Sequence, residues 1–176
     1  AAKSAIGRGE VIDAYYRLRE LAADNPGDVD VARYLAIAES GLRQLAAVAG
    51  AELATITTAT LGYRIAPRLN AAGRLDDMAV GVRCLVTDDG TEASSLAATL
   101  DGLNRDRQTI EAGMRQEALA IVDALDLPEA ALPATICLRR DNWHEGLVGL
   151  VASRVRERHH RPSFAFATTA SGELKG

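Results

Sequence analysis

The sequence is poor in the residue types that build aromatic cores and disulfide frameworks. Only 4% of the 176 residues are aromatic, with a single tryptophan, and there are two cysteines. Hydrophobic residues nevertheless make up 48%, so the core must be built from Ala, Leu, Val and Ile. Cys84 and Cys137 lie in apolar runs without a CxxC pairing, which predicts two buried free thiols in a reducing compartment.

Long apolar runs and excess positive charge are also missing. No run reaches membrane length and no signal peptide is recognisable, so a cytoplasmic location is expected. The formal net charge of −4 argues against a protein that binds nucleic acid by bulk attraction. Any phosphate contact must come from local basic patches.

The first 45 residues predict a helical hairpin. Over residues 9–24 apolar residues recur at helical spacing, at Val11, Tyr15, Leu18 and Ala22. Asn25-Pro26-Gly27-Asp28 breaks the pattern, and a second helix runs over residues 29–45. The Asp28-Val29-Asp30 triplet resembles an Asp-x-Asp metal motif. A capping role for Asp28 is favoured, because aspartate is strongly preferred at helix starts.

A very long helix is predicted from Thr91 to about Asp126, joining two lobes. Its apolar residues recur close to every 3.5 positions, at Leu96, Leu100, Leu103, Ile110, Met114, Ala118, Ile121 and Leu125. Arg105 and Arg107, halfway along, are expected to pair one turn away with Asp101 and Glu111.

The C-terminal residues predict an incomplete β-α-β unit. A strand over Ala134–Leu138 precedes a helix over Gly146–His159 and a strand over Ser163–Ala167, parallel to the first by the right-handed crossover rule. The turn Ser171-Gly172 starts a final hairpin. The predicted fold class is therefore α/β and helix-rich, with N-terminal helices, a long connecting helix and an incomplete β-α-β unit.

The stretch Gly62–Asp77 is the first candidate site. Arg68 and Arg74 flank Asn70 and three tiny residues, the last of them Gly73. We interpret it as a loop in which the small residues admit a bulky ligand, Gly73 permits a positive φ, and two guanidinium groups bind an oxyanion. Alternatively the arginines pair with Asp76 and Asp77 and pin the loop, one of these carboxylates also capping the helix that follows.

The run Trp143–Arg154 is the second candidate site. Trp143 and His144 lie where a strand exit meets a helix N-terminus, which is a ready anion site, and Gly146 and Gly149 allow close approach. The alternative is that His144 caps the helix and Trp143 fills the core. Further along, His159 and His160 lie among four arginines, either as a phosphate-binding patch or as a solvated helix face.

These two motifs resemble those of the RecJ-type single-strand-specific DNA exonucleases of the DHH phosphoesterase superfamily. The resemblance in the first motif covers Pro67–Asp77, and in the second it continues to His160-Arg161-Pro162. The resemblance covers about residues 46–176. It implies that residues 46–90 end the catalytic lobe, that residues 91–127 are the connecting helix, and that residues 128–176 begin the DHH-associated lobe. Residues 1–45 fall outside it.

The resemblance also implies a function. Relatives of this type cut single-stranded DNA from the 5′ end, in repair and recombination, with Mn²⁺ or Mg²⁺ held by Asp and His residues of the catalytic lobe. Those ligand motifs are not found in this sequence, so this chain alone is expected to be inactive. By resemblance, the substrate-binding residues lie on two facing walls of a cleft, Arg68, Asn70 and Arg74 on one, and His144, Gly146, Gly149 and Ser153 on the other.

Two other functions stay open on sequence grounds. One is a phosphoesterase of the same superfamily that acts on short RNA or nucleotides, although the full Pro67–Asp77 run is most typical of the DNA exonucleases. The other is a non-catalytic nucleic-acid-binding or interaction module, which the unmatched first 45 residues favour.

Overall fold

The computed structural model describes residues 10–128 and 131–176, with side chains from residue 16 onward. The chain divides into two compact units, an N-terminal unit that ends at Asn104 and a C-terminal unit that starts at Arg105. Helices dominate and a three-stranded sheet lies near the C-terminus. The predicted helix-rich α/β class is therefore confirmed. The assignment of residue ranges to particular lobes remains a prediction.

The N-terminal unit is helical, and its helices are joined by short turns. Its long elements are α1 (Glu10–Asp24), α2 (Val29–Val48), α4 (Ala66–Leu75), α5 (Ala79–Val86) and the first part of α6 (Gly90–Asp123). Between α2 and α4 lie a 3₁₀ turn (Leu53–Thr55), the one-turn α3 (Thr58–Thr60) and a π-helical turn (Leu61–Ile65). Only short helical turns therefore form between α2 and α4.

The predicted hairpin is confirmed, and so is the role of Asp28. Its carboxylate accepts hydrogen bonds from the N–H groups of Asp30 and Val31, both at 3.0 Å, and so caps α2. Of the apolar positions expected on α1, Leu18 and Ala22 are half-buried. Val11 and Tyr15 lie outside the described side chains.

The core of the N-terminal unit forms where α2 packs against α5 and the π-turn. It contains Leu and Ala side chains with single Ile and Cys residues: Leu42, Leu45, Ala46, Ala49, Leu61, Ile65, Ala72, Cys84, Ala97 and Leu100. Gly41 brings the two helices together, since a Cβ atom at this position would lie 2.1 Å from the Cys84 carbonyl oxygen.

The stretch Gly62–Asp77 is helical, which corrects the prediction of a loop. It comprises most of the π-turn and all of α4. Pro67 near the start of α4 has no N–H to continue the hydrogen-bond ladder, which accounts for the wide turn before it. Gly73 is not among the described residues with positive φ. Ala71 and Ala72 are fully buried, so they face the protein interior instead of forming a ligand floor.

Helix α6 is continuous from Gly90 to Asp123, 34 residues long, and the unit boundary falls within it. This confirms the predicted long helix, which spans about 51 Å at 1.5 Å per residue. Its buried side differs from the predicted apolar stripe, because Ile110 is 36% and Leu125 is 50% exposed. The described buried positions follow a heptad-like spacing at Ala93, Ala97, Leu100, Asn104, Met114, Ala118 and Val122.

The C-terminal unit carries the β-α-β arrangement. Strand β1 (Ile136–Arg140) pairs in parallel with β2 (Ser163–Thr168), α7 (Val148–His159) connects them, and β3 (Leu174–Lys175) pairs antiparallel with β2. The parallel pairing and the hairpin at Gly172, where φ is 83°, are confirmed. Compared with the prediction, β1 lies two residues further along and includes Arg139 and Arg140, and α7 starts at Val148 instead of Gly146.

One face of this sheet is buried and the other is more open. Leu138, Ala165 and Ala167 are buried, and Cys137 and Phe164 alternate with them as exposed residues. The expectation of two buried thiols is therefore correct for Cys84 and wrong for Cys137. Desolvation raises the pKa of the Cys84 thiol to about 11. Among the described residues, no helix is both long and apolar enough to cross a bilayer.

The close approach of α2 and α5 generates a stability prediction. Gly41→Ala should lower the free energy of unfolding by about 1–3 kcal/mol, because the added methyl group meets backbone that cannot move aside cheaply. Gly113→Ala is the matched control, since nothing lies within 4 Å of its Cβ position and alanine is the better helix former by roughly 1 kcal/mol. Urea unfolding of both variants checks the prediction, and equal stabilities would contradict it.

Candidate functional site

Two arginines of the first motif cap the end of α2. Arg64 donates to the carbonyl oxygens of Ala49 and Gly50, the second at 2.8 Å. One turn further on, Arg68 donates to the carbonyl oxygens of Val48, at 3.3 Å, and of Arg64. The last carbonyl groups of a helix have no partner within the helix, so these guanidinium groups supply one.

Arg68 also forms an ion pair with α6. Its Nε lies 2.9 Å from Asp101 Oδ1, and both side chains are largely buried, at 16% and 17% exposure. The alternative interpretation, in which the arginines only pin the local structure, expected Asp76 or Asp77 as the partner of Arg68. The partner observed is Asp101. Asp77 instead accepts a hydrogen bond at 2.9 Å from the N–H of Ala79 and so caps α5, as expected for one of the two carboxylates.

Asn70 and Arg74 differ from Arg68 in their surroundings. Asn70 is exposed and Arg74 half-buried in the last turn of α4. They lie four residues apart, so both project from the same side of the helix. Within this motif Asn70 therefore presents exposed polar surface beside the half-buried Arg74, and Arg68 is held in its buried pair with Asp101.

The second motif begins in a seven-residue loop between β1 and α7, Asp141–Leu147, which we call the His144 loop. His144 is half-buried, and its Nδ1 accepts a hydrogen bond at 3.1 Å from the N–H of Gly146. A neutral imidazole that accepts at Nδ1 carries its proton on Nε2. His144 thus stabilises its own loop with one nitrogen and retains a donor on the other.

Trp143 fills the core, as the alternative interpretation expected, and is held by α6. It is 4% exposed, and its indole Nε1 donates to Glu117 Oε2 at 2.7 Å. The other carboxylate oxygen of Glu117 accepts from Arg140 Nε at 2.9 Å. The hydrogen bond from Trp143, and after it the one from Arg140, lowers the pKa of the Glu117 carboxyl, which is therefore ionised at neutral pH.

The start of α7 has features of an anion site. Its N-cap residue, Leu147, makes no side-chain hydrogen bond to the first turn. Gly149 is exposed in that turn, with nothing within 4 Å of a Cβ atom built on it, so the fold does not require glycine at this position. Ser153, one turn further along, is half-buried. Exposed N–H groups at a helix N-terminus favour a phosphate or carboxylate ligand.

The basic residues at the other end of α7 do not form a uniform patch. His159 is buried at 8% exposure, so it belongs to the interior, whereas His160 is exposed in the left-handed conformation, φ 51°. Arg154 pairs with Glu157 at 2.9 Å and approaches Glu111 at 3.6 Å, and both carboxylates raise its pKa, Glu157 more strongly. Arg107 pairs with Glu111 as predicted, at 2.9 Å.

The described residues hold no evident metal centre. No group of three or more His, Cys, Asp or Glu side chains among them could bind a metal ion. The described residues therefore do not by themselves provide a complete metal-binding site.

The class of protein that the chain resembles is an exonuclease. A manganese-bound exonuclease structure superposes on 74% of this chain with a TM-score of 0.63 and 38% identity, and this chain covers 31% of it. That exonuclease is RecJ. The magnesium complex of RecJ from Thermus thermophilus matches 73% of this chain with the same TM-score of 0.63 and 40% identity, 19% of the RecJ chain being covered.

Curated relatives agree with the solved structures. The single-stranded-DNA-specific exonucleases RecJ of Dickeya dadantii and Escherichia coli are each 46% identical over 136 residues, which is 77% of this chain and 24% of theirs. RecJ of Bacillus subtilis is 36% identical over 123 residues. No family model matches the chain. The RecJ resemblance inferred from the two motifs is thus confirmed, and the chain spans about a quarter of the length of the first two relatives.

Two residues of these sites, Arg64 and Glu117, were not singled out from the sequence, and Asp101 was expected to pair with Arg105 and not with Arg68. These three act through partners 14 to 33 positions away, and no local spacing signals such contacts. Arg107 and Glu111 were found because an i,i+4 pair on a helix has a signature in the sequence.

The buried ion pair of Arg68 predicts a structural effect. Arg68→Ala should lower the free energy of unfolding by about 2 kcal/mol, because hydrogen bonds to charged groups are each worth roughly 1.5–3 kcal/mol and Asp101 would keep its buried charge without this partner. Chemical unfolding of the 176-residue chain measures the loss. An unchanged unfolding midpoint would show that Arg68 is not needed by the fold and would return it to the ligand-binding candidates.

Proposed function

We propose that this chain is part of a single-strand-specific DNA exonuclease and supplies contacts to the DNA substrate. The observation that carries the proposal is the 46% identity over 136 residues to single-stranded-DNA-specific exonucleases. The reaction would be hydrolysis of phosphodiester bonds from the 5′ end, in DNA repair and recombination. The free thiols of Cys84 and Cys137 suit a reducing, cytoplasmic location.

Divalent metal belongs to the whole enzyme in this proposal. Relatives of known structure were solved with Mg²⁺ or Mn²⁺, and such an ion supplies a hydroxide nucleophile and neutralises phosphate charge when bound. Among the described residues, no group of three or more His, Cys, Asp or Glu side chains could hold this ion. The contribution proposed for this chain is therefore to bind and orient the substrate.

Seven residues are proposed to contact the DNA backbone or support those contacts. In the N-terminal unit, Asn70 and Arg74 offer polar surface and positive charge, whereas for Arg68 the buried pair with Asp101 supports an indirect role, holding α4 in place. In the C-terminal unit the proposed contacts are a donor on His144, the loop at Gly146, and the first turns of α7 with Gly149 and Ser153. Contacts of this kind track phosphate groups and carry no base sequence.

Gly149 allows binding to be separated from folding. Gly149→Ala should raise the free energy of unfolding by up to about 1 kcal/mol, because alanine is the better helix former and space for the methyl group is open. The same methyl group would stand beside the first-turn N–H groups and weaken the affinity for single-stranded DNA, on the order of threefold to tenfold. Urea unfolding and the anisotropy of a fluorescein-labelled oligo-dT measure the two effects.

A companion substitution tests the N-terminal unit in the same way. Arg74→Ala should weaken oligo-dT binding and reduce the slope of log affinity against log salt by about 1, with unfolding changed by no more than about 0.5 kcal/mol. Arg33→Ala is the matched control, since it removes the same charge from an exposed pair with Asp88, 3.9 Å apart, outside the motif. Unaltered affinity in both Gly149→Ala and Arg74→Ala would contradict the proposed function.

The 176-residue chain by itself is expected to be inactive. With Mn²⁺ or Mg²⁺ added it should release no nucleotides from end-labelled single-stranded DNA, because it lacks recognisable metal-ligand motifs. Electrophoresis of the labelled strand over a range of metal concentrations makes the measurement. Metal-dependent cleavage that saturates with DNA and copurifies with the chain would overturn this expectation.

A further inference from the structure

The His144 loop is held by side chains from three different elements. Asp141, at its start, accepts from Thr168 Oγ1 of β2 at 2.6 Å. Glu145 pairs with Lys175 Nζ of β3 at 3.0 Å. Trp143 donates to Glu117 of α6 at 2.7 Å. A loop fixed in this way presents its binding groups in one arrangement and loses little conformational entropy when a ligand arrives.

Of these three anchors, only Glu117 reaches a buried partner. Trp143 is 4% exposed, whereas the side chains of Lys175 and Glu145 are 57% and 39% exposed and Asp141 and Thr168 form an exposed bond. A buried indole N–H that loses its acceptor leaves a donor unsatisfied, at a cost of about 1–3 kcal/mol. The indole would then be expected to shift toward another acceptor, and the backbone of its neighbour His144 with it.

The carboxylate of Glu117 also performs a task that a neutral acceptor cannot. Its two oxygens accept from Trp143 and from Arg140, the last residue of β1. The strand end and the following loop are thereby tied to one point on α6, and the bond to Arg140 is charge-assisted and correspondingly strong. An amide at this position would offer Trp143 an oxygen and present N–H groups to a guanidinium that has only donors.

We propose that Glu117 is a positioning residue for DNA binding, which holds Trp143 and Arg140 so that the His144 loop presents the Nε2 donor of His144 to a substrate phosphate. This assignment rests on the proposed function. Glu117 itself touches no DNA in it. Electrostatics alone makes the opposite prediction for its removal, because deleting a negative charge strengthens binding to a polyanion.

The first measurement is the affinity of the 176-residue chain for a fluorescein-labelled oligo-dT. Glu117→Ala should weaken binding by about tenfold, by analogy with the lower end of the losses that follow removal of an outer-shell partner of a metal ligand. Glu117→Gln should lose less, because it keeps an acceptor for Trp143. Glu157→Ala is the matched control, since it removes the same charge from an exposed pair with Arg154, and it should leave the affinity unchanged or raise it.

The second measurement shows whether Glu117 acts through His144. In a His144→Ala background the effect of Glu117→Ala should shrink to less than about twofold, because substitutions that act through one group are not additive. Trp143 is the only tryptophan in the chain, so its fluorescence emission reports the hydrogen bond between Trp143 and Glu117. Glu117→Ala should change the emission spectrum, and Glu117→Gln should largely preserve it. Circular dichroism below the melting temperature verifies the fold, and if Glu117→Ala is unfolded, Glu117→Gln in both backgrounds decides.

Three outcomes would overturn these assignments, and they separate a failure of the proposed function from a failure of the role of Glu117. An unsubstituted chain that does not bind oligo-dT would overturn the proposed function and this assignment together. Binding that is lost in His144→Ala but unchanged or strengthened in Glu117→Ala and Glu117→Gln would overturn the assignment of Glu117 alone. Equal losses from Glu117→Ala in the two backgrounds would also overturn it, because Glu117 would then act independently of His144.

Discussion

Carboxylates along α6 form ion pairs with arginines in each of the two units. Asp101 pairs with Arg68 in the N-terminal unit. In the C-terminal unit, Glu111 pairs with Arg107, and Glu117 accepts from Arg140 and Trp143. A partly buried guanidinium needs a charged partner to offset its lost hydration, so these pairs fix which arginines belong to the fold.

The contacts of Arg64 and Arg68 change the interpretation of the stretch Gly62–Asp77. Arg64 and Arg68 complete the C-terminus of α2 by donating to its last carbonyl groups, and the small residues Ala71 and Ala72 lie in the interior. Much of the motif therefore preserves the packing of α4. The substrate contacts proposed for it depend on Asn70 and Arg74, which lie on α4 and are positioned by that packing. A helix is a more rigid support for such groups than a loop.

The second motif likewise combines residues with structural roles and residues that are proposed to face a ligand. Trp143 is an interior residue, and Nδ1 of His144 stabilises the loop through Gly146. Both residues therefore have structural roles, and these remain compatible with binding, because the other imidazole nitrogen and the open first turn of α7 are still available to a ligand. Gly149 illustrates the point: the local structure gives no reason for a glycine there, and close approach of a ligand would.

Local patterns in the sequence determined the elements of this protein. Helical periodicity predicted α1, α2 and the whole of α6, the Asp28 cap followed from residue preference alone, and the crossover rule gave the parallel pairing of β1 with β2. The identity of the relatives also followed from two contiguous motifs. The tertiary structure decided what local spacing does not encode: that residues 62–75 are helical, that Cys137 is exposed, and that Arg68 faces Asp101. The same holds for Glu117 and Trp143, 26 residues apart in the chain, because only the packed fold brings such partners within hydrogen-bonding distance.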